Sequence, residues 1–543
     1  MFALLAGLVA HADPSDVLAT ALRDAVAALP ADERPYYVAV ALREEMSLTL
    51  TTSHGTVWAD TTEHRRLLDV DLRLGSPQLD NTHPLRGMSS MADDSREVLT
   101  VPLTDGPGLR RAVFGAIDRA LRDAEEHLAL LEANRTVLVA EEDVAPDFDV
   151  PPARTHLDPT TPVEPLDRGV WEPLMRELSE RIDVSESMAS YASLGIERTW
   201  TTFVDTQGAH LGLGRDHVRL SLSTHAIAED GDGIDAYASF DAASVARLPA
   251  PETLRAAADE LARDLVTRSN APRAEPYTGP IWLGGRAAAV FVHEVLGHRA
   301  EGHRQKRDDE GKTFADLVGE SVLLPTIDIV DDPSVKQVDG IDLNGHYAYD
   351  DEGTPAAPAV LVDDGIFRGF LTTNSPIPGF PESNGHARRS PGRPPLARMG
   401  NTILTARNGL TKAALAKRFR DELRRAGLPF GYRIDAIDGG FTTTGRVTPN
   451  AFNVRASAAW RVYADGRPDE PVRGLDLVGT PLTAFRNVIA TGDTAEVFNG
   501  YCGAESGWVP VSGVAPALLF ARLETQRKEK GEDRPPLLPK PKP

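Results

Sequence analysis

The sequence is short of cysteine and of long hydrophobic runs, and each shortage excludes a class of protein. Its 543 residues include a single cysteine, Cys502, so no disulfide can form within the chain. It contains no uninterrupted apolar run of the roughly 18 residues that a membrane-spanning helix requires. The sequence therefore predicts neither a disulfide-stabilised fold nor a membrane span.

Positive charge is scarce as well. The chain has 58 Lys and Arg against 80 Asp and Glu, which gives a formal net charge of -22 and an isoelectric point near 5.1. An acidic surface repels a phosphate backbone, so no nucleic-acid partner is predicted. Hydrophobic residues (41%) and charged residues (25%) are in the proportions of an ordinary globular protein.

The chain is too long for one hydrophobic core, and its composition changes near the middle. Residues 271–280 contain three prolines, and we place a domain boundary there. The predicted fold is α+β with two domains. The N-terminal domain (13–270) combines helices with meandering strands. The C-terminal domain (271–526) is rich in strands and is entered by the helix that carries the candidate metal ligands.

The two ends of the chain differ from the rest. Residues 1–12 are apolar and finish in Ala10-His11-Ala12, which resembles the remnant of a secretory signal peptide without its usual basic start. This pattern favours export to the periplasm or the exterior, with a cytoplasmic location as the alternative. Residues 527–543 are charged and rich in proline, and we predict a disordered tail.

Periodicity places the main elements. Apolar residues at helical spacing predict helices over 15–29, 108–133, 251–269, 286–304 and 412–426. Alternating and β-branched stretches predict strands over 36–74, with a turn at His54-Gly55, and over 196–237, 434–444, 454–463 and 477–490.

The most informative stretch is His293-Glu294-Val-Leu-Gly297-His298. Two histidines and a glutamate on one helix are typical of zinc hydrolases, in which the imidazoles bind the metal and the carboxylate activates water. The usual ligands are four residues apart, whereas these are five apart. On a regular helix that spacing turns the two side chains about 140° apart, instead of about 40°. We therefore predict a π-type bulge, or an end to the α-helix, between Glu294 and His298, with Gly297 absorbing the strain.

A catalytic zinc usually has three protein ligands, and two residues are candidates for the third. His303 lies ten residues after His293, as in the metzincins, although the histidine which that pattern needs at position 297 is Gly297. Cys502 stands between glycines and before Val509-Pro510-Val511, so a turn would present its side chain. The residues alone leave both candidates open.

The sequence resembles the TldD/PmbA metallopeptidases, which have His-Glu-x-x-Gly-His early in the C-terminal half and a Cys-Gly segment followed by Pro-Val near the end. The resemblance is clear over residues 280–520 and holds only in outline before them. Further matching segments are Thr326–Pro333, Asp350–Pro355, Gly365–Leu371 and Arg398–Thr402. The chain departs from the family at Ala504–Trp508, where Gly-Gln is usual, and in a proline-rich insertion before Arg398.

The resemblance implies a Zn²⁺ ion held by His293, His298 and Cys502, with Glu294 as the general base. Because every ligand is retained, the chain looks like the active branch of the family and not like the metal-free branch that serves as a partner subunit. The resemblance further implies extended or unfolded polypeptide substrates. It also implies dimers, either of like chains or of one active and one metal-free subunit.

Several alternatives stay open at this point. The zinc could be structural, or the chain could hold substrate for an active partner without catalysis of its own. A donor for the reaction's oxyanion is required, and His303, Tyr501, His346 and Arg398 are candidates. Glu301 and the run Asp350-Asp351-Glu352 could support the site or bind a cation, although a charged turn is the favoured interpretation of the run.

Overall fold

The computed structural model describes residues 14–31, 33–85, 98–135, 145–159, 166–307, 310–446 and 451–528. The proposed signal-peptide remnant (1–12) and residues 529–543 of the predicted tail lie outside these ranges. Within the described ranges, no helix combines the length and the apolar character needed to cross a membrane.

The N-terminal half is built on one sheet of seven strands. Its order is β5-β2-β1-β7-β8-β6, with β9 also paired to β8. The predicted hairpin is present: β1 and β2 pair antiparallel, and His54 and Gly55 turn the chain with φ of 49° and 69°. The strands of this half, of which β3 and β4 form a separate two-stranded pair, are β1 (Tyr37–Ser53), β2 (Thr56–Arg73), β3 (Gly75–Ser76), β4 (Leu79–Asp80), β5 (Leu99–Val101), β6 (Thr155–Leu157), β7 (Ser187–Asp205), β8 (His210–Ile227) and β9 (Gly233–Ala242).

Four helices and one short 3-10 turn accompany this sheet: α1 (Ser15–Ala28), α2 (Pro107–Arg135), α3 (Arg168–Arg181), α4 (Pro251–Ser269) and the turn Val245–Arg247. Helices α1 and α2 bury Leu18 and Val113 against Val38 and Val40 of β1. Helices α3 and α4 form a separate apolar cluster with β1, β7 and β8. The side chains that alternate with Val38 and Val40 point to the opposite face, where Tyr37 meets Phe148.

The C-terminal half contains an eleven-stranded sheet around a long strand, β24. The strands of this half are β10 (Tyr277–Leu283), β11 (Ile327–Asp331), β12 (Gln337–Val338), β13 (Ile341–Asp342), β14 (Ala359–Asp363), β15 (Ile366–Phe367), β16 (Ala387–Arg388), β17 (Leu396–Ala397), β18 (Asn401–Ala406), β19 (Phe430–Thr442), β20 (Phe452–Tyr463), β21 (Glu470–Val472), β22 (Leu475–Gly479), β23 (Val488–Ala504) and β24 (Gly507–Arg527). Of these, β12 with β13 and β16 with β17 form separate two-stranded pairs outside the large sheet. The helices are α5 (Gly285–Val292), α6 (His298–Ala300), α7 (Lys412–Arg425) and α8 (Pro481–Arg486), and the 3-10 turns are Gly302–Lys306 and Ala315–Leu317.

Strand β24 organises this half because it pairs with four others. It lies antiparallel to β10, β22 and β23 and parallel to β18. Since β10 also pairs with β19, and β20 joins β19 to β22, the pairings β10-β19-β20-β22-β24 close on themselves. A closed set of strands gives α5 a fixed apolar surface on which to pack.

Small residues let α5 lie close to that surface. A Cβ on Gly285 would stand 2.6 Å from the carbonyl oxygen of Ala515 in β24. Phe291 anchors the end of the helix through edge-on ring contacts with three aromatic residues, Phe452, Phe485 and Phe520, at centroid distances of 5.4, 6.1 and 5.2 Å. The helix is therefore held firmly just before His293.

The fold class agrees with the sequence prediction, and one predicted strand is wrong. Residues 477–490 do not form a single strand, because helix α8 separates the end of β22 from the start of β23. Pro481 occupies the first turn of α8, where its fixed φ and missing N–H are tolerated. The apolar run thus changes conformation at Thr480-Pro481.

Two arginines join the two halves. Arg268 of α4 donates to the carbonyl oxygens of Asp235 (2.8 Å) and Ser457 (2.7 Å), one in each large sheet. Arg473 donates to Asp232 at 2.8 Å. These contacts fix the N-terminal sheet beside the C-terminal one.

Candidate metal centre

The helix that begins at Gly285 widens at the predicted place. Residues His293–Gly297 form a π-helical turn between α5 and α6. The additional residue in this turn brings two histidines five positions apart to the same side. Their rings lie 5.1 Å apart between centroids, at 87° to one another. The predicted π-type bulge is confirmed.

Cys502 reaches the same point from the other end of the domain. Strands β23 and β24 form a hairpin in which Cys502 pairs with Val509. The Cys502 Sγ lies 3.1 Å from Nε2 of His293 and 3.4 Å from Nε2 of His298. One ligand atom from each of these residues falls within 4.8 Å of the others, and all three side chains are buried.

Charges at this point favour a thiolate. Burial alone would raise the pKa of Cys502, but the two histidines and Arg398 lower it well below its usual value. Burial likewise opposes charge on His298, whereas Cys502 and Glu301 raise its pKa well above the ordinary range. The charges around the sulfur thus favour the thiolate form, which is the form that binds a metal.

This donor set suits zinc. Two imidazole nitrogens and a thiolate are ligands that Zn²⁺ accepts, and three protein ligands leave a fourth position open. His293, His298 and Cys502 are thus the residues that would hold the ion.

Glu294 lies beside the cluster on the π-turn and is 8% exposed. Its side chain rests over Gly440 of β19. A Cβ at that glycine would stand 2.3, 2.5 and 2.7 Å from Cγ, Cδ and Oε1 of Glu294. Gly440 therefore provides the room for the carboxylate, and the sequence carried no signal for it beyond a Gly-Gly pair inside a predicted strand.

The predicted reason for a glycine at position 297, the absorption of backbone strain, is wrong. Its φ of -52° and ψ of -57° are ordinary right-handed values that any residue adopts, so it absorbs no strain. A Cβ at this position would stand 1.9 Å from Sδ of Met399. Glycine is required here because Met399 packs directly on the π-turn.

The second candidate ligand, His303, does not join the cluster. It follows α6 in the 3-10 turn Gly302–Lys306, and burial is the main cause that lowers its pKa to about 4. Both of its ring nitrogens are enclosed and lack a hydrogen-bond partner among the described residues. Of the two candidates, the structure brings only Cys502 within reach of both histidines.

The other candidate oxyanion donors are placed elsewhere or already engaged. Tyr501 alternates with Cys502 along β23 and lies beside Arg219, 5.2 Å from that guanidinium to the ring centre. His346 makes a 2.7 Å hydrogen bond from Nδ1 to the carbonyl oxygen of Pro333. Arg398 is fully buried and bonded to Cys502 itself. Each of the three thus already has a partner in these contacts.

The acidic run forms the predicted turn, and Asp350 and Glu352 are buried within it. Asp350 accepts backbone N–H bonds from Glu352 and Thr354 through Oδ1 and from Ala387 through Oδ2. Its carboxylate therefore braces the loop and is not part of the cluster at Cys502.

Sequence comparison agrees with this geometry. Residues 276–527 match the PmbA/TldA metallopeptidase C-terminal domain. This stretch of the chain therefore carries a domain of the TldD/PmbA family. The chain is 29% identical over 352 residues to a metalloprotease of Methanothermobacter thermautotrophicus, covering 61% of this chain and 70% of that one. It is 28% identical to the TldD homologue of Haemophilus influenzae, a metalloprotease, covering 49% and 52%.

A third relative is named for its metal. A zinc metalloprotease TldD homologue of Saccharolobus solfataricus is 22% identical over 260 residues, covering 47% of this chain and 53% of that one. The chain thus aligns with about half the length of this relative and of the Haemophilus relative. The family is one of metallopeptidases, and both candidate ligand segments fall within residues 276–527.

Solved structures share the fold across both halves. TldE from Thermococcus kodakarensis superposes with a TM-score of 0.61 at 13% identity, covering 90% of this chain and 96% of that one. A proposed modulator of a DNA gyrase from Thermotoga maritima superposes with a TM-score of 0.62 at 13% identity and the same coverage. At this identity the likeness shows the architecture alone.

The Met399 contact predicts that Gly297→Ala reduces zinc binding. The new Cβ must displace Met399 or the π-turn, an overpacking that costs about 1–3 kcal/mol, and His298 is the next residue. We expect substoichiometric zinc by elemental analysis after purification. Gly115→Ala is the matched control, because a Cβ at that helical glycine meets nothing within 4 Å. Full zinc occupancy in a folded Gly297→Ala chain would show that the turn tolerates the side chain.

Proposed function

We propose that this protein is a zinc-dependent peptidase that hydrolyses peptide bonds in unfolded or extended polypeptides, with Glu294 as general base. The observation that carries the proposal is the buried His₂Cys cluster with a carboxylate on the same π-turn. A closed structural zinc site needs four ligands, and the cluster offers three. A structural site would also have no use for Glu294.

When bound there, Zn²⁺ supplies Lewis-acid chemistry: it polarises a peptide carbonyl and makes water acidic near neutral pH. Glu294 then takes the proton from the attacking water and returns it to the leaving amine. Because Gly440 has no side chain, the carboxylate has room to move between the attacking water and the leaving amine. His293 and Cys502 hold their places through the helix and the hairpin that carry them.

An extended substrate fits the strand beside Glu294. Parallel pairing of β19 with β10 ends at Leu283 and Ile434, while β19 continues to Thr442 paired with β20. Beyond Ile434, the edge that faced β10 has no further strand partner among the described residues. A peptide added along this edge would pass Gly440, which touches Glu294. Main-chain pairing of this kind selects only weakly among side chains. An unfolded polypeptide has a main chain that is available for such pairing.

The proposal predicts that Glu294→Gln keeps zinc and loses peptide cleavage. Glutamine has the shape of glutamate but cannot accept the proton, and removal of a general base costs about 10²- to 10⁴-fold in rate. Cleavage of an unstructured fluorogenic peptide, together with zinc content, measures both properties. Undiminished cleavage would remove Glu294 from the reaction. It would also favour the alternative in which activity comes from a co-purifying subunit.

Cys502→Ser is predicted to lose most of its zinc, because a hydroxyl is a far weaker ligand than a thiolate. Elemental analysis of the purified variant gives the result. About one zinc per chain in the parent and much less in the variant supports the three-ligand site. Stoichiometric zinc in the variant would return His303 to consideration.

We further propose that two chains assemble around the site, either as a homodimer or with a related metal-free subunit. The family resemblance of the C-terminal domain supports this proposal, because that resemblance implies dimers. Light scattering of the pure chain, alone and after mixing with a metal-free relative from the same cell, should show a two-chain mass in one of the two samples. A fully active monomer at all micromolar concentrations would contradict this.

A further inference from the structure

Two of the three ligand residues are joined by a buried ion pair. Oε1 of Glu301 lies 3.2 Å from Nδ1 of His298 and accepts a hydrogen bond from Nε of Arg398 at 3.1 Å. On the other side, Nη2 of Arg398 donates to Sγ of Cys502 at 3.1 Å. Glu301 and Arg398 both have zero exposure. A chain of contacts thus connects His298 with Cys502 through Glu301 and Arg398.

Every donor of Arg398 is committed to this arrangement. A guanidinium has five N–H groups. Besides Glu301 and the sulfur, they reach the Cys502 carbonyl (2.8 Å), the Ser506 hydroxyl (2.8 Å) and the Gly507 carbonyl (3.0 Å). The last three acceptors belong to the β23–β24 hairpin. Arg398 therefore holds the whole tip that carries the cysteine and has no donor left for a substrate.

Glu301 is itself held from a second direction. Arg304 donates to its Oε2 from Nη2 at 2.8 Å and from Nε at 3.1 Å. Burial makes this pairing with two guanidinium groups strong only while all partners remain. Oε1 and Oε2 of Glu301 lie 3.2 and 3.3 Å from Nδ1 of His298, and a carboxylate oxygen accepts a hydrogen bond from this nitrogen when it carries the proton. Nε2 of His298 is then the nitrogen with a free lone pair, and it is the one that faces Cys502.

We propose that Glu301 and Arg398 are positioning residues, which set the tautomer of His298 and the place of the Cys502 thiolate before the metal arrives. Their effect is on zinc affinity and on the sulfur–metal bond, and they do not touch substrate. The inference rests on the metal site of the proposed function and does not require that the protein cleave peptides.

The test compares Arg398→Lys, Arg398→Met and Glu301→Gln with the parent chain. Zinc affinity is measured by competition with a chromophoric chelator, and the sulfur–metal bond by the thiolate-to-metal charge-transfer band after loading with Co²⁺. We expect Arg398→Met and Glu301→Gln to weaken zinc binding about 10- to 100-fold, the range for lost outer-shell partners. Their charge-transfer bands should shift or lose intensity. Arg398→Lys should fall between parent and Arg398→Met, because one ammonium can serve the sulfur or the carboxylate but not the hairpin.

Arg388→Met is the matched control. Arg388 is also a buried arginine that crosses between two segments, since it donates to the carbonyl oxygens of Met399 and Pro510, both at 2.6 Å. It contacts neither ligand nor Glu301. Its loss should cost stability in thermal unfolding yet leave the zinc affinity and the charge-transfer band of the folded chain within twofold of the parent.

Two results would overturn the inference. One is an unchanged zinc affinity and band in folded Arg398→Met or, where that variant does not fold, in folded Glu301→Gln and Arg398→Lys. The other is an equal loss in Arg388→Met, which would show a general effect of buried charge. Zinc affinities in the expected order with no cleavage of any peptide would support the positioning role and refute the proposed peptidase.

Discussion

The site depends on bringing two imidazoles five residues apart to one point. A regular helix cannot do this, so α5 must gain a residue in its last turn, and the surrounding structure is arranged to hold that irregular turn. The closed set of strands around β24 supports α5, and Phe291, two residues before His293, is held among three aromatic rings. Met399 packs against Gly297 from the other side. The widened turn is thereby held between two rigid surfaces.

The third ligand comes from 204 residues further along the chain, and the sheet delivers it. Strand β24 pairs with β23 over the whole hairpin and also with β10, which leads directly into the ligand helix. The cysteine and the histidines are thus attached to neighbouring parts of one sheet. The remaining freedom, the position of the hairpin tip, is removed by the side chain of Arg398. Backbone pairing brings the ligands near one another, and the buried charges fix them at the distances observed.

Much of this was predictable from local sequence. The helices over 15–29, 251–269 and 412–426 and the hairpin turned at His54-Gly55 were recognisable because their apolar periodicity and turn residues act over a few positions. The π-turn followed from the spacing of His293 and His298, since geometry allows few other solutions. Cys502 could be paired with them only by resemblance, because no local pattern fixes a partner more than 200 residues away.

What the sequence could not supply was contact between distant segments. Backbone freedom was the predicted reason for Gly297, yet its φ is ordinary. The residue is glycine because Met399 lies where a side chain would be. Gly440 stands within a predicted strand, and only the structure shows that it leaves the space for Glu294. Arg398 was one of four candidate donors to the oxyanion, and only the structure shows that its five N–H groups are already used. Within 477–490, apolar content concealed the change from strand to helix at Pro481.

The most direct test of a shared zinc site is X-ray absorption spectroscopy at the zinc edge on the purified, zinc-loaded chain. The structure predicts a first shell with one sulfur at about 2.3 Å and two imidazole nitrogens at about 2.0–2.1 Å, completed by a light scatterer from solvent. Loss of the sulfur shell in Cys502→Ser would assign it. A shell of nitrogen and oxygen alone in the parent chain would contradict the assignment of Cys502 and, with it, the role given to Arg398.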